Sequence, residues 1–180
     1  MLMSAQDCSV LIVDVQSRLA PAIHEGAQIV AHCVWLARLA ERVGVPVVIT
    51  EHCAEKIGPT VDTLRAAAAA AQVVGKEAFS AHADGCLATT AVDRRRQVVV
   101  CGTEAHVCVL QTALDLRWAG KEVFVVADAV GSRSPANRDL ALARMRQHGI
   151  EIVSREMVAF EWLQRGGTAQ FSAINREFIR

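Results

Sequence analysis

The sequence predicts an α/β fold, a three-layer αβα sandwich built on a mostly parallel sheet, and three observations predict it. Short, β-branched apolar runs recur at residues 9–14, 45–50, 97–102, 122–127 and 151–153. Each is apolar on both faces, as a strand covered by helices on either side must be. Between them lie segments of helix formers, three of which are followed directly by glycine, the residue that ends helices in a left-handed turn. Parallel strands need crossovers and these are right-handed, so strand–helix alternation with short connections folds into a doubly wound sheet.

Taken in order, the first strand Val10-Leu11-Ile12-Val13 ends on Asp14, and residues 27–43 form a helix closed by Gly44. After the second strand comes an alanine run, 66–71, which reads as helix because alanine has the highest helix propensity. Val73 and Val74 form a further short strand leading into Gly75-Lys76. Residues 84–93 read as helix, then strand 97–102 runs into a helix over 105–119 that carries Cys108 near its start and ends at Gly120. Strand 122–127, helix 135–148 with Gly149 behind it, and strand 151–153 complete the pattern. The tail 166–180 is set off by Gly166-Gly167, and its Phe171, Ile174, Phe178 and Ile179 need a partner, either the body or another subunit.

A chain of 180 residues fits one domain, 1–180, with one core. Its 19 Lys and Arg balance its 19 Asp and Glu. The overall field that draws in nucleic acid or an anionic membrane is therefore missing, and the expected partner is a small-molecule substrate. No apolar run approaches the roughly 20 residues of a membrane span, and residues 1–9 lack the basic and apolar regions of a secretion signal. Six cysteines without CxxC spacing, mostly in apolar segments, read as reduced thiols of a cytoplasmic protein. A hydrophobic content of 52% leaves apolar surface for a homo-oligomer interface.

In an open parallel sheet the ligand crevice lies at the carboxyl ends of the strands. Three polar residues stand just past apolar runs: Asp14, Lys76 and Cys108. A thiol at a helix amino terminus is shifted toward the thiolate by the local dipole, which makes Cys108 the candidate nucleophile. An ammonium at Lys76 would favour the thiolate further, and a carboxylate at Asp14 could take up and return a proton during acyl transfer. The segment 102–107 could aim backbone N–H groups at a developing oxyanion.

Residues 10–160 resemble the isochorismatase-like cysteine hydrolases, a family that includes nicotinamidases and N-carbamoylsarcosine amidases. The segments that carry the likeness are Leu11-Ile12-Val13-Asp14-Val15-Gln16, Val74-Gly75-Lys76, the run from Val99 through Gly102-Thr103-Glu104-Ala105-His106-Val107-Cys108 to Val109, Thr112-Ala113 and Val126-Ala127-Asp128-Ala129. The resemblance implies a six-stranded parallel sheet, an Asp14–Lys76–Cys108 catalytic triad and an acyl-enzyme. It also implies a cis peptide between Thr103 and Glu104, with the amides of Glu104 and Cys108 as the oxyanion hole. Thr50-Glu51, Gly58-Pro59-Thr60 and the stretch 128–146 with Ser132-Arg133-Ser134 look like the isochorismatase-domain-containing subgroup. Nicotinamidases carry an Asp-x-His metal motif after the second strand, where this chain has Thr50-Glu51-His52-Cys53. Siderophore-pathway isochorismatases lack the cysteine, so Cys108 argues against vinyl ether hydrolysis.

Gln16 and His52 are candidate substrate-binding residues, and His106 either lines the pocket or caps the helix. His52 and Cys53 could ligate zinc, but no third and fourth ligands follow at regular spacing, so no metal and no cofactor is expected. The expected activity is hydrolysis of a C–N bond in a small amide-like substrate, by a dimer or tetramer in keeping with the family habit. The competing expectation is a non-catalytic scaffold or thiol sensor.

Overall fold

In the computed structural model, which describes residues 1–180, six strands form one all-parallel sheet in the order β3-β2-β1-β4-β5-β6. The central strands β1 (Cys8–Val13) and β4 (Gln97–Thr103) are buried along their whole length, the consequence of helices on both faces. Flanking them are β2 (Val47–His52) and β3 (Gln72–Lys76) on one side, and β5 (Glu122–Gly131) and β6 (Glu151–Val153) on the other. The chain adds β2 and β3 in one direction from β1, then returns through β4 to build the other half. The order therefore reverses between β1 and β4, and the crevice belongs at their carboxyl ends.

The longest helix, α1 (Gly26–Val43), turns Ile29, Cys33, Leu36 and Ala40 to the core and stops at Gly44, whose left-handed φ of 76° lets its N–H reach the carbonyls of Ala40 and Glu41. Gly120 and Gly149 also have positive φ, as the helix-end reading expects. Gly102 has a different duty. A Cβ there would lie 2.1 Å from the carbonyl oxygen of Val13, so its lack of a side chain is what lets β4 approach β1.

Three local expectations are corrected. The predicted helix 84–93 is two single turns, α4 (Ala81–Asp84) and α5 (Ala91–Arg94), because Gly85 adopts a left-handed φ of 86° and Thr90 starts a new cap with its side chain. The alanine run is mostly turn: α3 (Asp62–Ala67), which follows the short α2 (Ala54–Ile57), ends inside it, and the chain must open into β3 in register with Val48. Tertiary pairing overrides alanine's helix propensity there. A helix that the sequence reading omitted, α8 (Arg155–Leu163), follows β6 and is capped by Ser154.

The helix predicted over 105–119 is a π-turn, Ala105–Val109, continued by α6 (Leu110–Trp118), and α7 (Pro135–Gln147) lies where the sequence placed it. The tail returns to its own body. Its α9 (Ala169–Ile174) buries Ile174, and in the following turn Phe178 packs edge-on to Trp35 of α1 at 5.5 Å while its carbonyl accepts from the Trp35 indole at 3.1 Å.

Candidate active site

Asp14 is the first residue past β1 and has a left-handed φ of 49°, which turns the chain out of the sheet at the switch point. Its N–H donates to the Thr50 carbonyl at 3.2 Å and its carbonyl accepts from Thr103 Oγ1 at 2.7 Å. The backbone is thus tied to both neighbouring strands. Asp14 Oδ1 accepts from Thr50 Oγ1 at 2.6 Å, and Lys76 Nζ stands 2.8 Å from Oδ2. Both charged side chains are completely buried. The ammonium also donates to the carbonyls of Ala78 (3.2 Å) and Phe79 (3.1 Å), so the loop after β3 fixes its position. Although close, the ion pair is poorly aligned for a hydrogen bond, and Oδ2 retains unused lone-pair capacity. Burying such a pair costs several kcal/mol of hydration per ion, which makes it a candidate functional site rather than a stabilising device.

At the end of β4 the Thr103–Glu104 peptide is cis. The Glu104 carbonyl accepts from the N–H groups of Val107 and Val109, both at 3.1 Å, which closes the π-turn around Cys108. The Glu104 N–H has no partner within the chain. Cys108, only 6% exposed, lies close enough to Asp14 and Lys76 for both charges to act on its thiol. The sequence expectation of a lowered thiol pKa is overturned. Burial first and the Asp14 carboxylate second push Cys108 up to about 12, with Lys76 opposing them. The thiol lies inside the turn rather than at an open helix end, and the Asp14 carboxylate acts on it more strongly than the Lys76 ammonium. At neutral pH the thiol is therefore protonated, with a proton acceptor beside it.

The three residues expected to bind substrate have different surroundings. Gln16 is fully buried, and its amide is engaged with backbone: Nε2 donates to the carbonyls of His52 (3.1 Å) and Gly58 (2.6 Å), and Oε1 accepts from the His52 N–H (2.8 Å). It staples the loop after β2 instead of presenting its amide to the crevice. His52 pairs in register with Lys76 and rests against Phe79, ring centroids 5.4 Å apart; its Nδ1 is buried without a partner. His106 has Nδ1 2.9 Å from Ser132 Oγ, and Asn137 Nδ2 stands 3.4 Å from its Nε2, so it faces the β5 side of Cys108.

The side-chain contacts of several residues named in the sequence were not legible there. Thr50 holds Asp14, and Glu51 accepts from both the N–H and Oγ1 of Thr60 at 2.7 Å, anchoring the loop that Gln16 also holds. Glu104 Oε1 is bound by Arg133 Nε at 2.8 Å. Two polar clefts open nearby, neither of them lined by Asp14 or Cys108. One of 500 Å³ opens at Lys76 between Glu51, Cys53, Glu77 and Asp84; the other, of 270 Å³, is lined by Ser132, His24, His32 and Arg138.

These features define a doubly wound α/β protein with a buried carboxylate, ammonium and thiol gathered at its switch point. The Isochorismatase domain model matches residues 8–157, and the chain belongs to that family of hydrolase-type folds. Mouse isochorismatase domain-containing protein 2A is 34% identical over 165 residues, covering 92% of this chain and 79% of that one. The secreted isochorismatase effector Isc1 of Phytophthora sojae is 38% identical over 143 residues, 76% and 68% of the two chains. Among solved structures, the MAR1 ribonuclease of Caenorhabditis elegans superposes with a TM-score of 0.92 at 28% identity over 99% of this chain and 92% of that one. The Escherichia coli YcaC product, an octameric hydrolase of unknown specificity, gives 0.90 at 26% over 99% and 91%. Pseudomonas aeruginosa YcaC, with hexane-2,5-diol and covalent acrylamide, gives 0.90 at 25% over 99% and 92%. No helix of the chain is long and apolar enough to cross a membrane.

Proposed function

We propose that the chain is a cysteine hydrolase that cleaves a C–N bond of a small amide-like substrate through an acyl-Cys108 intermediate. One observation carries this reading: a buried thiol beside a fully buried Asp14–Lys76 pair whose Oδ2 keeps a lone pair for a proton. In the first step Cys108 Sγ bonds to the substrate carbonyl carbon as its proton passes to Asp14. The carbonyl electrons move onto oxygen, where the amides of Glu104 and Cys108 donate to the oxyanion. Collapse restores the carbonyl and expels the nitrogen, which takes the proton from Asp14 and leaves a thioester. Water then attacks the thioester, giving one proton to Asp14, and the departing thiolate recovers that proton. Lys76 remains an ammonium throughout; it holds the carboxylate and favours the thiolate as it forms. No cofactor takes part.

Acrylamide is an electrophile to which thiols add, so its covalent presence in the Pseudomonas relative fits a nucleophilic cysteine. The octameric relative supports a homo-oligomer here too. A balance of 19 cationic and 19 anionic residues favours a small substrate over RNA, despite the ribonuclease name of the C. elegans relative. Six free cysteines suit a reducing, cytoplasmic setting. The thiol-sensor reading falls behind, because sensors use low-pKa, accessible thiols and Cys108 is neither.

The test is a panel of primary and N-substituted amides followed by product release and by intact mass. Acyl adducts on Cys108 and steady release, both abolished in Cys108→Ser, are expected. A folded wild-type protein that forms no adduct and releases nothing from any amide would refute the reading.

A further inference from the structure

We propose that His52 and Phe79 form a leaving-group subsite that takes the flat, conjugated N-substituent of a secondary amide, so that the nitrogen product is an amine rather than ammonia. The inference rests on the hydrolase reading above, because the direction of the leaving group follows from it.

The nitrogen that departs must receive its proton from Asp14, so it lies on the Asp14 side of Cys108, away from the Glu104 amide that faces the carbonyl oxygen. That side is built by β2 and β3. Thr50, which holds Asp14 Oδ1, and His52 are two residues apart on β2 and share a face of the sheet. His52 is also the register partner of Lys76, which places both side chains on that face. His52 is therefore one step beyond the Asp14–Thr50 contact, toward the open ends of the strands.

Two independent features of this corner point to a ligand. His52 Nδ1 is buried with no hydrogen-bond partner, and buried polar atoms in native proteins are otherwise nearly all satisfied. Phe79 is 50% exposed, although its own carbonyl accepts from Lys76 Nζ at 3.1 Å and its ring rests on His52 at 5.4 Å with a 36° tilt. A large aromatic ring held half open to solvent against His52, on a residue whose backbone binds the buried ammonium, is not core packing. Its free face suits a flat conjugated group, since aromatic rings prefer offset or tilted aromatic neighbours. The imidazole nitrogen suits the single N–H of a secondary amide. A primary amide would leave the Phe79 face uncovered.

The experiment needs no turnover. Iodoacetamide labelling of Cys108 is followed by peptide mapping in the presence of acetanilide, N-cyclohexylacetamide or benzamide. The first two share an acyl group and a size but differ in flatness; benzamide puts its ring on the acyl side. Acetanilide is expected to protect Cys108 at concentrations about fivefold lower than either of the others, a ratio set by one aromatic contact. Phe79→Leu should remove most of that preference and His52→Phe should weaken acetanilide. Trp118→Leu, which removes another exposed aromatic at the far end of α6, should keep it. If benzamide or N-cyclohexylacetamide protects as well as acetanilide, or if Phe79→Leu leaves the preference intact, the subsite is overturned. The acyl-adduct measurement decides the hydrolase reading separately, so a protein that acylates but shows no flat-group preference keeps the first proposal and loses this one.

Discussion

Replacing Asp14 with asparagine should make Cys108 easier to alkylate and the enzyme inactive. Burial and the carboxylate push the thiol up to about 12, so little of it is thiolate near pH 8. The carboxylate is the second cause of that rise after burial, and Lys76 works against it. Removing a neighbouring charge moves a pKa by about one to three units, so the thiolate fraction should grow roughly 10- to 10³-fold in Asp14→Asn. Lys76→Met should act in the opposite sense and slow labelling. The assay is iodoacetamide labelling resolved by peptide mapping across about pH 6–10. Wild-type labelling of Cys108 should climb about tenfold per pH unit without reaching a plateau in that range. Asp14→Asn leaves the Lys76 charge buried and uncompensated, at a cost of about 3–5 kcal/mol. The fully buried Cys8 and Cys101 therefore serve as internal reporters, since they stay unlabelled only while the fold is intact. Labelling of Cys108 in folded Asp14→Asn at or below the wild-type rate would sink the argument that the carboxylate holds the thiol protonated.

Three further outcomes are expected. Thr50→Val keeps the shape but strips the 2.6 Å donor from Asp14 Oδ1, and should lower stability in a urea melt by about 1–3 kcal/mol and reduce turnover with it; an unchanged midpoint and rate would show that this bond is idle. Gly102→Ala would set a Cβ 2.1 Å from the Val13 carbonyl at a φ of 115°, so thermal unfolding should show a loss of about 3 kcal/mol or more; a wild-type Tm would contradict the close approach of β1 and β4. Phe178→Ala removes the edge-on contact with Trp35, worth about 1 kcal/mol, and trypsin should cut after Arg165 roughly fivefold faster while the remaining fold resists; an unchanged rate would mean that the tail is held by other contacts.

The sheet was legible because parallel central strands must be apolar on both faces, and the runs at β1 and β4 are. Asp14 and Lys76 could be found because each stands just past or at the end of such a run. The short pieces were not legible in the same way. Whether 84–93 is one helix or two depends on Gly85 and Thr90 acting as stop and start, and whether the alanines stay helical depends on β3 pairing with β2. Gln16 could be named as polar and near the crevice, but its engagement with the backbone of His52 and Gly58 comes from a loop closing 36 to 42 residues away. The state of Cys108 was misjudged for a related reason. A helix start can be read locally, whereas burial and an adjacent carboxylate from β1 cannot.

Between β4 and β5 the register slips: Val100 faces Val125, but Gly102 faces Val130, so Cys101 alone stands opposite residues 126–129. The surplus length is taken up within β5, whose Val126 still pairs with Val153 of β6. Its carbonyls at Ala127 and Val130 are taken by Arg138, and its Asp128 carboxylate by Arg155 Nε at 2.8 Å. Partners on α7 and α8 thus carry this segment, while β4 keeps its own unbroken pairing with β1 along the other edge. The division gives the strand leading to Cys108 and the wall opposite it partly separate supports, joined again where Gly102 and Thr103 pair with Val130 and Gly131. Residues 126–129 have no register partner on β4 apart from Cys101, whereas Val130 and Gly131 are again paired to Gly102 and Thr103, so variation that spares β4 is confined to those four positions. One edge of the crevice is in this sense a foundation and the other a partition, and divergence in what the site accepts has the partition to work on.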